Sequence, residues 1–274
     1  FTPPRRAGYE SAMKILVFLL MTAAPALARD LPPGLVSAEL LPGWVTPDGH
    51  RMTALRLELE PGWKTYWRSP GDAGVPPRFD WHGSANLGAV QLLWPRPEVI
   101  DSGGERTLGY HDRLILPIDI APAAAGQPVT PQAVVDFGLC LDICVPAQVT
   151  LTAPPPGALP DPLIEAAMAR QPQVSDQRPD CTITPIKDGM QVSASLPQTH
   201  NQTDRDTDIT MELADDEIWV STPETDRSGA RMTARADFVA ASGKPFPLDP
   251  GKLRVTLIGP DSAVEFTGCN SVAR

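Results

Sequence analysis

The chain has 274 residues, of which 23 are Lys or Arg and 33 are Asp or Glu, so its formal net charge at pH 7 is −10. An acidic chain is repelled by a phosphate backbone, and we therefore expect no nucleic-acid partner. The length suffices for one or two domains with hydrophobic cores.

The N-terminal segment predicts export. From Met13 the chain reads MKILVFLLMTAAPALARD, where one Lys precedes an apolar run and Ala26, Leu27 and Ala28 give the small-residue pattern of a cleavage site. The run is shorter than the about 20 residues that a membrane span needs. We expect residues 1–28 to be an upstream extension and a signal peptide cleaved near Ala28, leaving an exported protein that does not span the membrane.

From about residue 30 the chain is typical of short strands between turns rich in Pro and Gly. LRLELE, residues 55–60, alternates Leu with charged residues, and RLILPIDI, residues 113–120, places four apolar side chains on one face. A period of two indicates half-buried strands of an antiparallel sheet.

A proline-rich segment interrupts the strands. In APPPGALPDP, Asp161 is placed to cap a helix and Pro162 suits its first position, after which LIEAAMARQ continues the helical pattern. Further short strands follow. We predict an all-β protein with two β-sandwich domains, residues 30–153 and 177–274, joined by a linker and short helix at residues 154–176.

Two of the four cysteines lie close together in GLCLDICVP. A straight strand would hold the Cα atoms of Cys140 and Cys144 about 13 Å apart, whereas a disulfide requires about 4.4 to 6.8 Å. A bond between them therefore requires a tight hairpin or one helical turn, with residues 141–143 at its tip. A ring so small removes little chain entropy, so the bond suits redox exchange better than structural support.

The other two cysteines suggest a structural role. Cys181 opens the first strand after the linker, and Cys269 closes the last strand. A bond between them would enclose most of the second domain, which in the loop-entropy model stabilises by about 4 to 5 kcal/mol. We expect a structural disulfide, with two unpaired buried thiols as the alternative.

Three segments carry a family resemblance: PGWKTYWRSPGDAGVPPRFDW, WPRPEVIDSGGERTLGYHDRLILPI and CLDICVP. In this order they resemble the N-terminal periplasmic domain of the disulfide reductase DsbD and, more closely, that of its relative ScsB, over residues 33–153. The resemblance implies an immunoglobulin-like fold and a periplasmic location. It also implies that Cys140 and Cys144 exchange electrons with a thioredoxin-like domain or membrane electron carrier and with periplasmic thiol proteins.

The resemblance also suggests how the cysteine pair is shielded. DsbD covers its pair with an acidic and aromatic loop, and the corresponding segment here is GGERTLGYHD, so Tyr110 is the expected shielding aromatic. A role for Tyr110 in the core stays open.

Asp142 between the cysteines opposes thiolate formation, so we expect a partner's thiolate to attack the pair. On this hypothesis the protein is a partner-dependent thiol–disulfide oxidoreductase component with no cofactor and no bound metal. The alternative is a non-catalytic binding or assembly module in which all four cysteines form structural disulfides.

Overall fold

Just over half of the residues that the structure describes lie in β-strands, as alternating apolar residues and frequent turns predict. The computed structural model describes Thr2 and residues 31–102, 104–197, 207–213, 218–227 and 231–271. Apart from Thr2, the expected extension and signal peptide lie outside these residues. No helix in the described part of the chain has the length and apolarity to cross a membrane.

The N-terminal half forms two antiparallel sheets. One sheet has the strand order β1-β3-β9-β6, with β2 beside β3, and the other has the order β11-β10-β4-β8-β7, with β5 beside β10. The strands are β1 (Leu35–Leu40), β2 (Trp44–Val45), β3 (Arg51–Leu59), β4 (Lys64–Tyr66), β5 (Arg78–Asp80), β6 (Leu87–Leu92), β7 (Glu98–Ser102), β8 (Glu105–His111), β9 (Arg113–Pro122), β10 (Gln132–Cys140) and β11 (Cys144–Thr152).

One hydrophobic core lies between these sheets, and the alternation in the sequence explains which residues enter it. The leucines of β3 at 55, 57 and 59 and the four alternating apolar residues of β9 are all buried there. From the other sheet, β10 contributes every second residue from Ala133 to Leu139. Gly138 and Cys140 therefore belong to the opposite face of β10.

A single α-helix follows the N-terminal sheets in the described residues, α1 (Pro162–Met168). Asp161 caps it, with its carboxylate accepting a hydrogen bond from the backbone N–H of Leu163 at 2.8 Å, and Pro162 occupies the first turn. Both features are as the sequence predicts. Ile164 is fully buried against Leu41 and Met52, so α1 covers the outer face of the first sheet.

The C-terminal half forms two further sheets, with orders β12-β20-β19-β15 and β16-β18-β14-β13-β21, the latter with β17 beside β18. Two pairings are parallel, β12 with β20 and β13 with β21. The strands are β12 (Gln173–Ser175), β13 (Asp180–Pro185), β14 (Met190–Ser195), β15 (Asp208–Leu213), β16 (Ile218–Val220), β17 (Glu224–Asp226), β18 (Thr233–Ala240), β19 (Leu253–Ile258), β20 (Ala263–Thr267) and β21 (Asn270–Ser271), and a 3-10 helix spans Pro250–Lys252.

The prediction of an all-β protein is confirmed, but the two halves are not independent. A second core occupies the C-terminal half, yet Ile258 and Ala263 from β19 and β20 are buried in the core of the N-terminal half. Leu31–Arg274 accordingly forms one compact unit. The structure thus differs from a pair of separate immunoglobulin-like domains, because the end of the β19–β20 hairpin is part of the core of the N-terminal half.

Candidate functional site

Cys140 and Cys144 are joined by a disulfide at the end of a β-hairpin. Cys140 is the last residue of β10 and Cys144 the first of β11, and the two face each other in the antiparallel register. Their Cα atoms are 4.1 Å apart. Of the two turns that the sequence left open, the structure has the hairpin, with residues 141–143 at its tip.

The two cysteines differ in their exposure to solvent. Cys140 is only 3% exposed, whereas Cys144 belongs to the exposed residues. Thiol–disulfide exchange requires the attacking thiolate to reach one sulfur in line with the bond. An attacker from solvent therefore reaches Cys144, and Cys140 becomes the leaving sulfur.

Tyr66 is the aromatic residue in contact with the pair. Its hydroxyl donates a hydrogen bond to Cys140 Sγ at 2.9 Å and lies 3.1 Å from Cys144 Sγ. Tyr66 is 1% exposed although it lies on the outward face of the sheet. A hydroxyl that donates to sulfur stabilises a thiolate more than a thiol, and so lowers the thiol pKa.

Tyr110, the aromatic that the sequence analysis expected over the pair, lies elsewhere. In the sheet, Leu139 is opposite Thr65 and Thr65 is opposite Tyr110, so Tyr110 shares the inward face of Leu139. Its hydroxyl donates to the Pro95 carbonyl at 2.8 Å, and burial raises the pKa of Tyr110 well above its ordinary value. The structure therefore gives Tyr110 the core role that was left open, and Tyr66 the contact with the sulfurs.

Residues 70–75, called the cap segment below, cover Tyr66 from outside. A Cβ atom added to Gly74 would lie 3.0 Å from Tyr66 Cδ1, and one added to Gly138 would lie 3.0 Å from Cδ2 and Cε2 of the same ring. The ring is thus enclosed between the cap segment and the sheet. A side chain at either position would require the ring or its neighbours to shift.

A basic residue also lies beside the pair. Lys64 is opposite Cys140 in the β4–β10 pairing, so the two side chains share a face, and Lys64 is 5% exposed. Desolvation by burial lowers the pKa of Lys64. A neighbouring cation favours a thiolate, which opposes the effect expected from Asp142.

The second cysteine pair is also joined by a disulfide. Cys181 in β13 is bonded to Cys269, which precedes β21, with Cα atoms 5.6 Å apart. Cys181 is 2% exposed and Cys269 is 8% exposed, and both belong to the C-terminal core. This bond therefore offers a solvent thiol much less access than Cys144 does.

Among the residues that the structure describes, no group of three or more His, Cys, Asp or Glu side chains is arranged to hold a metal ion.

The site is thus a cysteine pair bonded across the end of a hairpin in an all-β protein. Residues 37–156 match the family model described as thiol:disulfide interchange protein DsbD, N-terminal. This segment is therefore a DsbD-type N-terminal domain. Comparison with curated proteins gave no match.

The fold has a counterpart among solved structures. The N-terminal periplasmic domain of ScsB from Proteus mirabilis superposes with a TM-score of 0.57 and 21% sequence identity, over 86% of this chain and 92% of that one. At this identity the likeness establishes the fold alone. It extends beyond the family-model match into the C-terminal half.

Sequence reasoning found both cysteines but missed Tyr66 and Lys64. The aromatic residues of WKTYW, residues 63–67, more often pack in cores and turns than form a functional site. One signal was available in the sequence: side chains alternate along a strand, so Lys64 and Tyr66 lie on one face of β4 and Thr65 lies on the other. The alternation does not show which residues of β10 lie opposite β4, because that register is set by contacts distant in sequence.

Proposed function

We propose that this protein is a periplasmic thiol–disulfide interchange module that relays electrons through Cys140 and Cys144. One observation carries the proposal: an exposed residue, Cys144, is bonded to a buried residue, Cys140, whose sulfur accepts a hydrogen bond from Tyr66. This is the asymmetry that exchange needs, with one sulfur to be attacked and another to leave. The match to the DsbD N-terminal family supports the same chemistry.

The exchange has two steps. A partner thiolate attacks Cys144 Sγ and forms a mixed disulfide, while the electron pair of the Cys140–Cys144 bond leaves on Cys140 as a thiolate. A second thiol of the partner, once deprotonated, then attacks the partner's sulfur in the mixed disulfide. Cys144 is released as a thiolate and the partner becomes a disulfide, so two electrons have passed to the pair. The reverse sequence reduces an oxidised substrate.

The surface around Cys144 suits a protein partner. Leu141 and Ile143 at the hairpin tip are 47% and 77% exposed, and Val75 of the cap segment is 52% exposed. Exposed apolar side chains grouped beside a reactive atom are typical of a protein-docking surface. We infer that the partners are a thioredoxin-like domain or membrane electron carrier on one side and periplasmic thiol proteins on the other. The exchange itself requires no cofactor.

The reduction potential of the Cys140–Cys144 pair tests the proposal. The purified protein is equilibrated in glutathione buffers, and alkylated thiols are mapped by mass spectrometry. We expect a potential between about −150 and −270 mV, the range of exchange-active thiol proteins. A potential below about −300 mV is typical of structural disulfides and would instead support the binding-module alternative.

Single-cysteine variants test the assignment of the attacked sulfur. Cys140→Ser leaves the exposed Cys144 free, so it should retain a thioredoxin-like protein as a mixed disulfide that its own chain cannot resolve. Cys144→Ser leaves only the buried Cys140, so it should trap little. The partner is a single-cysteine thioredoxin whose thiol is first converted to the mixed disulfide with 5-thio-2-nitrobenzoate, so that thionitrobenzoate leaves when the variant's thiolate attacks. Non-reducing gels after this incubation measure the trapping by both variants. Equal trapping by the two variants would contradict the assignment.

A further inference from the structure

The segment that follows Tyr66 is bonded to the C-terminal half of the chain. Arg68 Nε lies 3.0 Å from Glu212 Oε1, Arg68 Nη2 lies 3.0 Å from Glu212 Oε2, and Nη2 also donates to Glu265. The side chains of Arg68, Glu212 and Glu265 are 16%, 13% and 12% exposed. Charge-assisted bidentate pairs with so little solvent access fix geometry strongly.

Two weaker contacts extend the same connection. The hydroxyls of Ser69 and Thr210 lie 3.0 Å apart. The carboxylate of Asp72, within the cap segment, accepts from the backbone N–H of Thr222 at 3.3 Å. Thr210 and Glu212 belong to β15 and Glu265 to β20, so one sheet of the C-terminal half holds the two residues that precede the cap segment.

The cap segment in turn holds Tyr66. Gly74 lies against one side of the Tyr66 ring and Gly138 against the other, and Val75 approaches Gly138 from outside. Within the N-terminal half, the carbonyl of Pro70 accepts from the backbone N–H of Leu108 at 3.0 Å. Loss of the contacts to β15 should therefore loosen the cap segment without releasing it.

We propose that the C-terminal half, through Arg68, positions Tyr66 against the Cys140–Cys144 sulfurs and so sets how readily the pair is reduced. Arg68, Glu212 and Thr210 are positioning residues, because they act through the cap segment and touch neither sulfur in any described contact. The inference deepens the proposed function by giving the C-terminal half a task in the same reaction.

The chemistry follows from the identity of the leaving sulfur. When Cys144 is attacked, the electron pair of the broken bond goes to Cys140 Sγ, and the Tyr66 hydroxyl donates to the negative charge that develops there. A better stabilised leaving thiolate departs faster. If Tyr66 is held less firmly, that stabilisation weakens.

Glu212→Gln tests the proposal in the full-length protein, because it removes the carboxylate while keeping the side-chain size. We expect reduction of the Cys140–Cys144 bond by dithiothreitol to slow by about fivefold, the low end of typical couplings between sites. In a Cys144→Ser background, which leaves Cys140 as a free thiol, the pKa of that thiol should rise, as measured by the ultraviolet absorbance of the thiolate.

Two further variants decide between positioning and general stability. Thr210→Val removes only the hydroxyl contact with Ser69 and should shift the rate and the thiol pKa in the same direction by less. Glu39→Gln breaks an Arg–carboxylate pair with Arg56, away from the cap segment, and should leave both unchanged even where its melting temperature falls. If Glu212→Gln fails to fold, Thr210→Val decides the question.

The inference would be overturned if Glu212→Gln and Thr210→Val both kept the wild-type rate of reduction by dithiothreitol and the wild-type pKa of the Cys140 thiol. An equal change in Glu39→Gln would also overturn it. These measurements use dithiothreitol and a pH titration and need no protein partner. Their outcome is therefore independent of whether the proposed relay exists. A wild-type protein that exchanges with no thioredoxin-like protein would remove the proposed relay while leaving the coupling to Glu212 intact.

Discussion

At the scale of single residues, the chemistry of the site depends on the hydroxyl of Tyr66. The buried ring contacts Gly138 and Gly74, and its hydroxyl lies within 3.1 Å of both sulfurs. The ring therefore packs while the hydroxyl acts on the thiolate. Removal of the hydroxyl alone separates these two roles.

Tyr66→Phe should leave the fold nearly unchanged, because one hydrogen bond contributes about 1 kcal/mol to stability. We expect the pKa of the Cys140 thiol to rise by about one unit, since a donor that favours the thiolate is lost. The pair should also become harder to reduce, because its reduced form is less stabilised. Thiolate absorbance against pH, in a Cys144→Ser background, measures the first effect.

Tyr110→Phe is the matched control. It also removes one buried hydroxyl, but that hydroxyl donates to the Pro95 carbonyl on the inward face of the sheet. Its stability should fall by a similar amount while the Cys140 thiol keeps its wild-type pKa. The opposite result, with Tyr110→Phe altering the thiol and Tyr66→Phe not, would restore Tyr110 as the shielding residue.

At the scale of elements, a titratable contact joins the start of β3 to β9. His50 Nδ1 lies 2.8 Å from Asp119 Oδ1 in β9, and this hydrogen bond raises the pKa of His50 above its ordinary value. The folded protein therefore holds the His50 proton more tightly than the unfolded chain does. The stabilisation is fully present below about pH 6.5, the unfolded value, and is lost as the pH rises through the folded pKa.

Asp119→Asn should consequently cost more stability in acid than in alkali. We expect the melting temperature to differ from wild type more at about pH 5 than at about pH 9, because only protonated His50 gains from the carboxylate. Asp136→Asn neutralises a carboxylate that accepts from Gln148 and contacts no histidine among the described residues, so it should show no such increase across this window. A difference from wild type that is independent of pH in Asp119→Asn would contradict the assignment.

At the scale of the whole molecule, the two disulfides have different surroundings. The Cys181–Cys269 bond joins residues 88 apart in sequence and is buried in the C-terminal core. The Cys140–Cys144 bond joins residues four apart in sequence, and Cys144 is exposed. Since loop-closure entropy grows with loop length, the first bond is the better stabiliser and the second the better exchange site.

Replacement of both Cys181 and Cys269 by Ala should lower the free energy of unfolding by about 4 to 5 kcal/mol, the loop-entropy value for a ring of this length. The potential of the Cys140–Cys144 pair should stay at its wild-type value if the fold persists. Chemical denaturation and the glutathione equilibration measure these two quantities. A loss of stability no larger than that of a Cys140→Ala, Cys144→Ala double variant would contradict the division of roles.

Local sequence was sufficient for the all-β class, for the cap of α1 and for the buried faces of β3 and β9. Each of these depends on side-chain periodicity or on contacts within a few residues, such as Asp161 with Leu163. The turn between Cys140 and Cys144 follows only in part, because a disulfide over so few residues requires either a tight hairpin or one helical turn.

Only the tertiary structure decided which aromatic residue meets the sulfurs and how the two halves are joined. Tyr66 reaches Cys140 because β4 pairs with β10 across more than 70 residues of sequence, and no local pattern sets that register. Likewise, Ile258 enters the core of the N-terminal half, and Arg68 meets carboxylates 144 and 197 residues away. Sequence periodicity tells which face of a strand is buried, whereas packing between distant strands selects the neighbours on that face.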